Sequence, residues 1–134
     1  MWVALSSPDH PHHSRAAKYW RDESDGTISF MTHTALGLVR VLTNPSARGA
    51  HALDVAAAWQ LYRAWRQDPA VTFTHEPSRC HQELDRLVVA GLVRPRTWTD
   101  AYLAAFARCA DVRLVSFDTD FGSFPQLHWL HLRA

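Results

Sequence analysis

The stretch T-W-T-D-A-Y-L-A-A-F-A-R-C-A-D-V-R-L-V-S-F-D-T-D-F, from Thr97 to Phe121, decides how this chain folds. Leu103, Ala104, Phe106 and Ala107 recur at helical spacing, Ala110-Asp111 breaks the pattern, and Arg113 to Ser116 is a short buried-strand run. Asp100 opens the helix and Asp118 closes the strand. A helix followed by a parallel strand packs so that such ends can converge. Carboxylates gathered without bases repel one another unless a hard cation such as Mg²⁺ or Mn²⁺ neutralises them. The segment therefore predicts a metal site.

The same alternation of elements extends upstream. Helical patterns cover about His12 to Arg21, Thr34 to Leu42 with Leu36, Val39 and Leu42 inward, and Leu53 to Gln67. That last helix carries Val55, Ala58, Trp59, Tyr62 and Trp65 on one face. A fourth starts at Glu76-Pro77-Ser78 and carries Leu84, Leu87 and Val88 to Gly91. Asp22 to Gly26 and Asn44-Pro45-Ser46 read as breaks. Strand patterns occupy Thr27 to Thr32, Val71 to Thr74 and, at the end, His128 to Leu132. Short strands alternating with longer helices predict an α/β class with a mainly parallel sheet covered on both faces. Ligands in such folds gather beyond the carboxyl ends of the strands, where Asp118 lies.

At 134 residues and 47% apolar content, one domain with a real core is expected. No run approaches the roughly 18 apolar residues of a membrane span, and no signal peptide opens the chain, so the cytoplasm is the expected location. The net charge of +1 gives no global field for coating nucleic acid. Lys18 is the only lysine among 14 basic residues; arginine's planar fork suits phosphate, but its abundance alone locates no phosphate site. Cys80 and Cys109 are read as buried free thiols.

Each acid has two readings. If the chain stays extended past the strand, Asp118 and Asp120 face one side; alternatively Asp118 caps a helical turn and Asp120 is solvated in it. Asp100 is either a ligand or, behind Thr99 as N-cap, a complement to the helix dipole. The histidines His10, His12, His13, His128 and His131 lack a convergent zinc spacing. No nucleophile elbow or phosphate-cradling glycine loop occurs. Trp59 and Trp65 are read as core rather than base-stacking residues.

T-D-A-Y-L-A-A-F-A followed by L-V-S-F-D-T-D-F resembles the carboxyl-terminal half of PIN-domain ribonucleases of the VapC toxin type. G-L-V-R-V-L-T-N-P at Gly37 to Pro45, D-H-P-H-H-S-R-A at Asp9 to Ala16 and the ending F-P-Q-L-H-W-L resemble the same branch, in the same order over nearly the whole chain. The resemblance implies a single PIN-like three-layer α/β/α domain over residues 1–134 and a Mg²⁺- or Mn²⁺-dependent endoribonuclease. That enzyme would be the toxin of a VapBC-type pair, a homodimer acting on RNA and restrained by a VapB-type antitoxin. Asp100 and Asp118 match the catalytic, metal-binding acids, Asp120 a supporting metal ligand, and Ser116 a small hydroxyl that orients the site.

Two departures accompany the resemblance. Family members begin with an apolar strand ending in an Asp, ahead of a short helix that resembles Trp2 to Leu5. This chain is therefore expected to lack the first strand and first acid, to be marginally stable, and to have a native start roughly 5 to 10 residues upstream of Met1. A second acid, a Glu in the central helix, would fall near Gly37. The alternative function is a catalytically impaired PIN-like module that docks antitoxin or RNA without cleaving. A third reading leaves the acids as caps of an ordinary α/β domain.

Overall fold

The structure, a computed structural model, describes residues 1–133 and divides into two compact units, residues 1–75 and 76–134. In the first unit, helix α1 (Trp2–Ser6) and helix α2 (His13–Lys18) precede strand β1 (Ile28–Phe30). Helices α3 (Thr32–Leu42), α4 (Pro45–Arg48) and α5 (Val55–Gln67) then lead to strand β2 (Val71–Phe73). The strands pair in parallel with Ile28 opposite Val71 and Phe30 opposite Phe73, as the helix–strand alternation requires.

Side chains fix the helix starts. The Thr34 hydroxyl accepts the Met31 N–H at 3.1 Å, Asn44 Oδ1 accepts the Ser46 N–H at 2.9 Å, and Asp54 Oδ1 accepts the Ala57 N–H at 2.8 Å. The core centres on Phe30, which is fully buried. Trp2 stacks on it with centroids 3.6 Å apart, and Tyr62 meets it edge-on at 5.2 Å. Trp65 packs edge-on to Trp2 and donates its Nε1–H to Ser6 Oγ at 2.8 Å, so its expected core role holds.

Three details of this unit differ from the sequence pattern. Helix α2 does not end before Asp22: it widens into a π-helical turn, Tyr19–Glu23, which buries Tyr19 and which Arg15 ties down by two hydrogen bonds to Glu23, at 3.1 and 2.9 Å. Asn44-Pro45-Ser46 does not stop the helical chain but starts α4. Helix α3 buries Ala35, Leu38 and Leu42, leaving Leu36 58% exposed. Helix α5 buries Ala58 and Tyr62, leaving Val55 77% and Trp59 49% exposed. The buried stripe of α3 runs from Ala35 through Leu38 to Leu42 and that of α5 through Ala58 to Tyr62, so the large apolar residues expected inward at Leu36, Val55 and Trp59 are rotated out.

The second unit contains helix α6 (Cys80–Val89), helix α7 (Trp98–Ala110), strand β3 (Leu114–Ser116), a 3₁₀ turn (Asp120–Ser123) and strand β4 (Trp129–His131). Helices α6 and α7 pack together, and α7 also meets β3 and the 3₁₀ turn. Ala101, Ala104, Ala105 and Ala107 give α7 a thin buried face beside Phe106, while Phe121, Phe124 and Leu132 complete the core. Burying each of these phenylalanines is worth about 1.5–3 kcal/mol. Gly122 is needed for close approach: a Cβ there would stand 3.1 Å from the Trp129 ring. β3 and β4 are parallel, with Ser116 opposite His131.

Helix α6 starts later than expected, at Cys80, whose N–H donates to the Pro77 carbonyl at 2.9 Å. It turns Glu83 inward and Val88 outward, contrary to the expected stripe. Glu83 is 7% exposed. It accepts a hydrogen bond from Arg86 at 3.0 Å, and Arg108 of α7 stands 3.0 Å from its other oxygen, an ion pair by distance without an aligned hydrogen bond. The helix ends in a Schellman turn: Gly91, at φ 70°, donates to the Val88 carbonyl at 2.9 Å and Leu92 donates to Leu87 at 3.1 Å. Both cysteines are free, as expected, but only Cys80 is fully buried, which pushes its thiol up to about 11, whereas Cys109 is half-buried. Among the described residues no helix is long and apolar enough to cross a membrane.

Candidate active site

Asp100, Asp118 and Asp120 all belong to the second unit. Helix α7 begins with Thr97 as the residue before its first turn, where the sequence suggested Thr99, so Asp100 is the third helical residue. Thr97 does not cap the helix with its side chain. Its hydroxyl instead accepts the Arg94 N–H at 2.9 Å, while its own N–H donates to the Arg94 carbonyl at 2.9 Å. The approach to the helix is thereby closed into a tight loop over residues 94–97, which fixes where Asp100 emerges.

Asp118 lies two residues beyond β3. The Ser116 hydroxyl accepts the Asp118 N–H at 3.0 Å, and Asp118 Oδ1 accepts the Asp120 N–H at 2.9 Å. The chain thus turns immediately, and the extended arrangement that would set Asp118 and Asp120 side by side on one face does not form. Asp118 instead makes an Asx turn, one carboxylate oxygen committed to the Asp120 N–H, while the N-cap position of the 3₁₀ turn falls to Thr119, which makes no side-chain cap bond. Asp120 starts the 3₁₀ turn, and the Ser123 hydroxyl closes it by donating to the Asp120 carbonyl at 2.7 Å.

The turn does not remove these acids from one another's field. Partial burial and then the charges of Asp118 and Asp120 push the Asp100 carboxyl above the ordinary aspartate value. The three acids therefore share one electrostatic neighbourhood at the start of α7 and the end of β3. Asp100 is half-buried, and Asp118 and Asp120 are exposed. Among the described residues, no three His, Cys, Asp or Glu side chains are grouped closely enough to share an ion. Carboxylate oxygens as the donors on offer suit a hard divalent cation better than zinc.

Two contributors escaped the sequence reading. His131, brought opposite Ser116 by the parallel register, lies with Nε2 3.2 Å from the Phe117 carbonyl, bracing the backbone just before Asp118. It was legible only as one of several histidines without a zinc spacing. Arg94 lines a cleft of ≈ 290 Å³ formed by the segment from Gly91 to Thr97 and by Thr119, Asp120 and Ser123. The Schellman turn at Gly91 aims that segment, and no periodicity marks it. His10, His12 and His13 lie in the first unit: His10 Nδ1 accepts the His12 N–H at 3.1 Å and His13 Nδ1 lies 2.8 Å from the Ala4 carbonyl, so the His10 and His13 rings serve the local backbone.

Comparison with known proteins matches this architecture. A model of the PIN domain family matches residues 1–127. Ribonuclease VapC41 of Mycobacterium tuberculosis is 35% identical over 130 residues, covering 92% of this chain and 88% of the relative. Ribonuclease VapC33 of the same organism is 34% identical over 122 residues, covering 89% and 84%. The crystal structure of M. tuberculosis VapC20, a sarcin–ricin loop cleaving toxin, superposes with a TM-score of 0.67 at 18% identity, covering 95% of this chain and 92% of that one. At that identity the likeness speaks for the fold, which is the parallel α/β fold of PIN domains. With the family model over most of its length and relatives above the 30% level, the chain belongs to the PIN-domain family, in its VapC branch.

Proposed function

We propose that this chain is a VapC-type endoribonuclease toxin that hydrolyses phosphodiester bonds in RNA, with Asp100 and Asp118 as its metal-binding catalytic acids and Asp120 in support. The site assignment is supported by the placement of Asp100 at the start of α7 and Asp118 just beyond β3, with the Asp100 carboxyl raised by its partial burial and then by the charges of Asp118 and Asp120. The ribonuclease names of the relatives carry the reaction class.

Asp100 and Asp118 would hold Mg²⁺ or Mn²⁺, which when bound supplies an acidified water and offsets charge on the phosphate. The remaining work falls to the chain's own groups. Ser116 and His131 hold the backbone on either side of Phe117, so that Asp118 keeps its place at the strand end. The Asp118 oxygen bonded to the Asp120 N–H leaves its second oxygen for a ligand. Proton loss from Asp100 is disfavoured by its partial burial and then by its neighbours' charge, so a cation and the ionised carboxylate would assist one another.

A cognate VapB-type antitoxin belongs to the same reading, supported by the relatives' VapC names, and homodimerisation and a cytoplasmic location are proposed with it from the family resemblance alone. Cleavage of an RNA panel with Mg²⁺ or Mn²⁺, by this chain and by Asp100→Ala, tests it. Metal-dependent cleavage that falls at least about a hundredfold in the variant is expected. RNA binding without cleavage would favour the non-cleaving docking module, and equal cleavage by both would refute the site.

A further inference from the structure

The cleft beside the acids poses an electrostatic problem for any RNA strand that enters it. Asp120 lines it, and Asp120 shares the field of Asp100 and Asp118, so a polyanion approaching here meets acidic groups. Among the described residues, Arg94 is the only cationic one lining the cleft. Its side chain is exposed and makes no hydrogen bond or ion pair among the described residues, although Asp120 lines the same space. Its backbone, by contrast, is held on both sides, N–H to the Thr97 hydroxyl and carbonyl to the Thr97 N–H. A fixed Cα beneath an uncommitted guanidinium lets the side chain meet an anion with the loop already ordered, leaving only the side chain's own rotamers to be fixed.

Resting on the ribonuclease reading, we infer that Arg94 is a positioning residue that binds a phosphate of the RNA strand next to the scissile one, in the cleft between the 91–97 loop and the 3₁₀ turn. Arginine offers two parallel N–H donors to the non-bridging oxygens of a phosphodiester, a contact that is independent of base identity. Thr97 and Ser123, which also line the cleft, already spend their hydroxyls on backbone carbonyls, Thr97 on Arg94 at 3.3 Å and Ser123 on Asp120 at 2.7 Å. That leaves the charged contact to Arg94. Arg96, two residues on and exposed, does not line the cleft and serves as an internal control for general positive charge.

Two measurements test the assignment, with the wild-type chain and with Arg94→Gln, Arg94→Lys and Arg96→Gln. The first is steady-state RNA cleavage in Mg²⁺ or Mn²⁺: Arg94→Gln should raise KM roughly tenfold with kcat within about twofold, Arg94→Lys should recover part of the loss, and Arg96→Gln should match wild type. The second is the salt dependence of binding to a single-stranded RNA oligonucleotide, measured in an Asp100→Asn background so that the RNA stays intact. Losing one phosphate contact should flatten the slope of log K against log salt by about 0.7 for Arg94→Gln. A merely structural residue would shift affinity or melting temperature and leave that slope alone. Wild-type cleavage combined with an unchanged slope and KM in Arg94→Gln would overturn the role of Arg94 while leaving the ribonuclease reading intact. Equal flattening by Arg96→Gln would also overturn it, since the effect would then be general charge. No cleavage by the wild-type chain would count against the ribonuclease reading, and the slope would still decide whether Arg94 contacts RNA.

Discussion

Strand β1 runs through the buried Phe30 into Met31 and Thr32, where α3 begins at once, whereas β3 runs through Ser116 and Phe117 into Asp118 and an exposed 3₁₀ turn. Both strands belong to parallel pairs three residues long. The end of β1 is occupied by aromatic packing, with Trp2, Phe30 and Tyr62 in contact. Around the end of β3, half-buried and exposed polar groups hold backbone turns and acids. The difference teaches that parallel pairing only delivers chain ends to a common place, and that the residues at the ends decide whether the place becomes core or chemistry.

The largest effect expected from breaking that contrast is in the aromatic end. Phe30→Ala removes the ring on which Trp2 and Tyr62 pack and should destabilise by about 3–5 kcal/mol, measured by urea unfolding. A loss below about 1 kcal/mol would mean that the cluster is not the centre of its unit.

Next is the charge buried inside the second unit. Glu83→Gln leaves Arg108, itself largely covered, facing a neutral amide, and should lower stability by about 1–3 kcal/mol. Because the pair is partly wet on the Arg86 side, Arg86→Gln should cost less than about 1 kcal/mol. Equal losses for the two would show that both arginines are held alike.

The smallest effect is also the most diagnostic of the site. Asp100 has a folded-state value above its unfolded one, so between the two the folded chain binds more protons than the unfolded chain. Its contribution therefore turns unfavourable as pH rises from below the ordinary aspartate value through the raised one, and remains so at neutral pH. In the absence of divalent cations, Asp100→Asn should then be the more stable protein at pH 7, by no more than about 0.5 kcal/mol given its exposure, and should lose that advantage near pH 3. A variant less stable than wild type at pH 7 would mean that Asp100 is held by favourable contacts instead of repelled.

Much of this contrast was legible in the sequence. The α7 stripe, the breaker at Ala110-Asp111 and the β3 run placed Asp100 and Asp118 at two neighbouring ends, and the chain does turn at Asp111, in the left-handed region at φ 52°. Ser116 was marked by the family resemblance, and its hydroxyl does hold the Asp118 N–H. What failed did so for physical reasons. On α3 the buried face passes through Ala35, Leu38 and Leu42 and on α5 through Ala58 and Tyr62, a choice among several apolar residues that the packing partners make and helical spacing alone does not. Glu83 sits inside because Arg108 waits on another helix, a pairing that no single-helix pattern contains. The side-by-side presentation of Asp118 and Asp120 is lost because an aspartate past a strand can make an Asx turn, and here it does. Arg94 and His131 reach the site through a Schellman turn and a strand register, which are tertiary facts.

The central proposal is that Asp100 and Asp118 together hold a divalent cation. Thermal unfolding of the wild-type chain and of Asp100→Asn/Asp118→Asn, titrated with Mn²⁺ at neutral pH, tests it without any RNA. Wild type should gain stability with metal, by about 2.7 kcal/mol at a hundred times Kd, and the double variant should not respond. An equal gain in both proteins, or none in the wild type, would contradict the account.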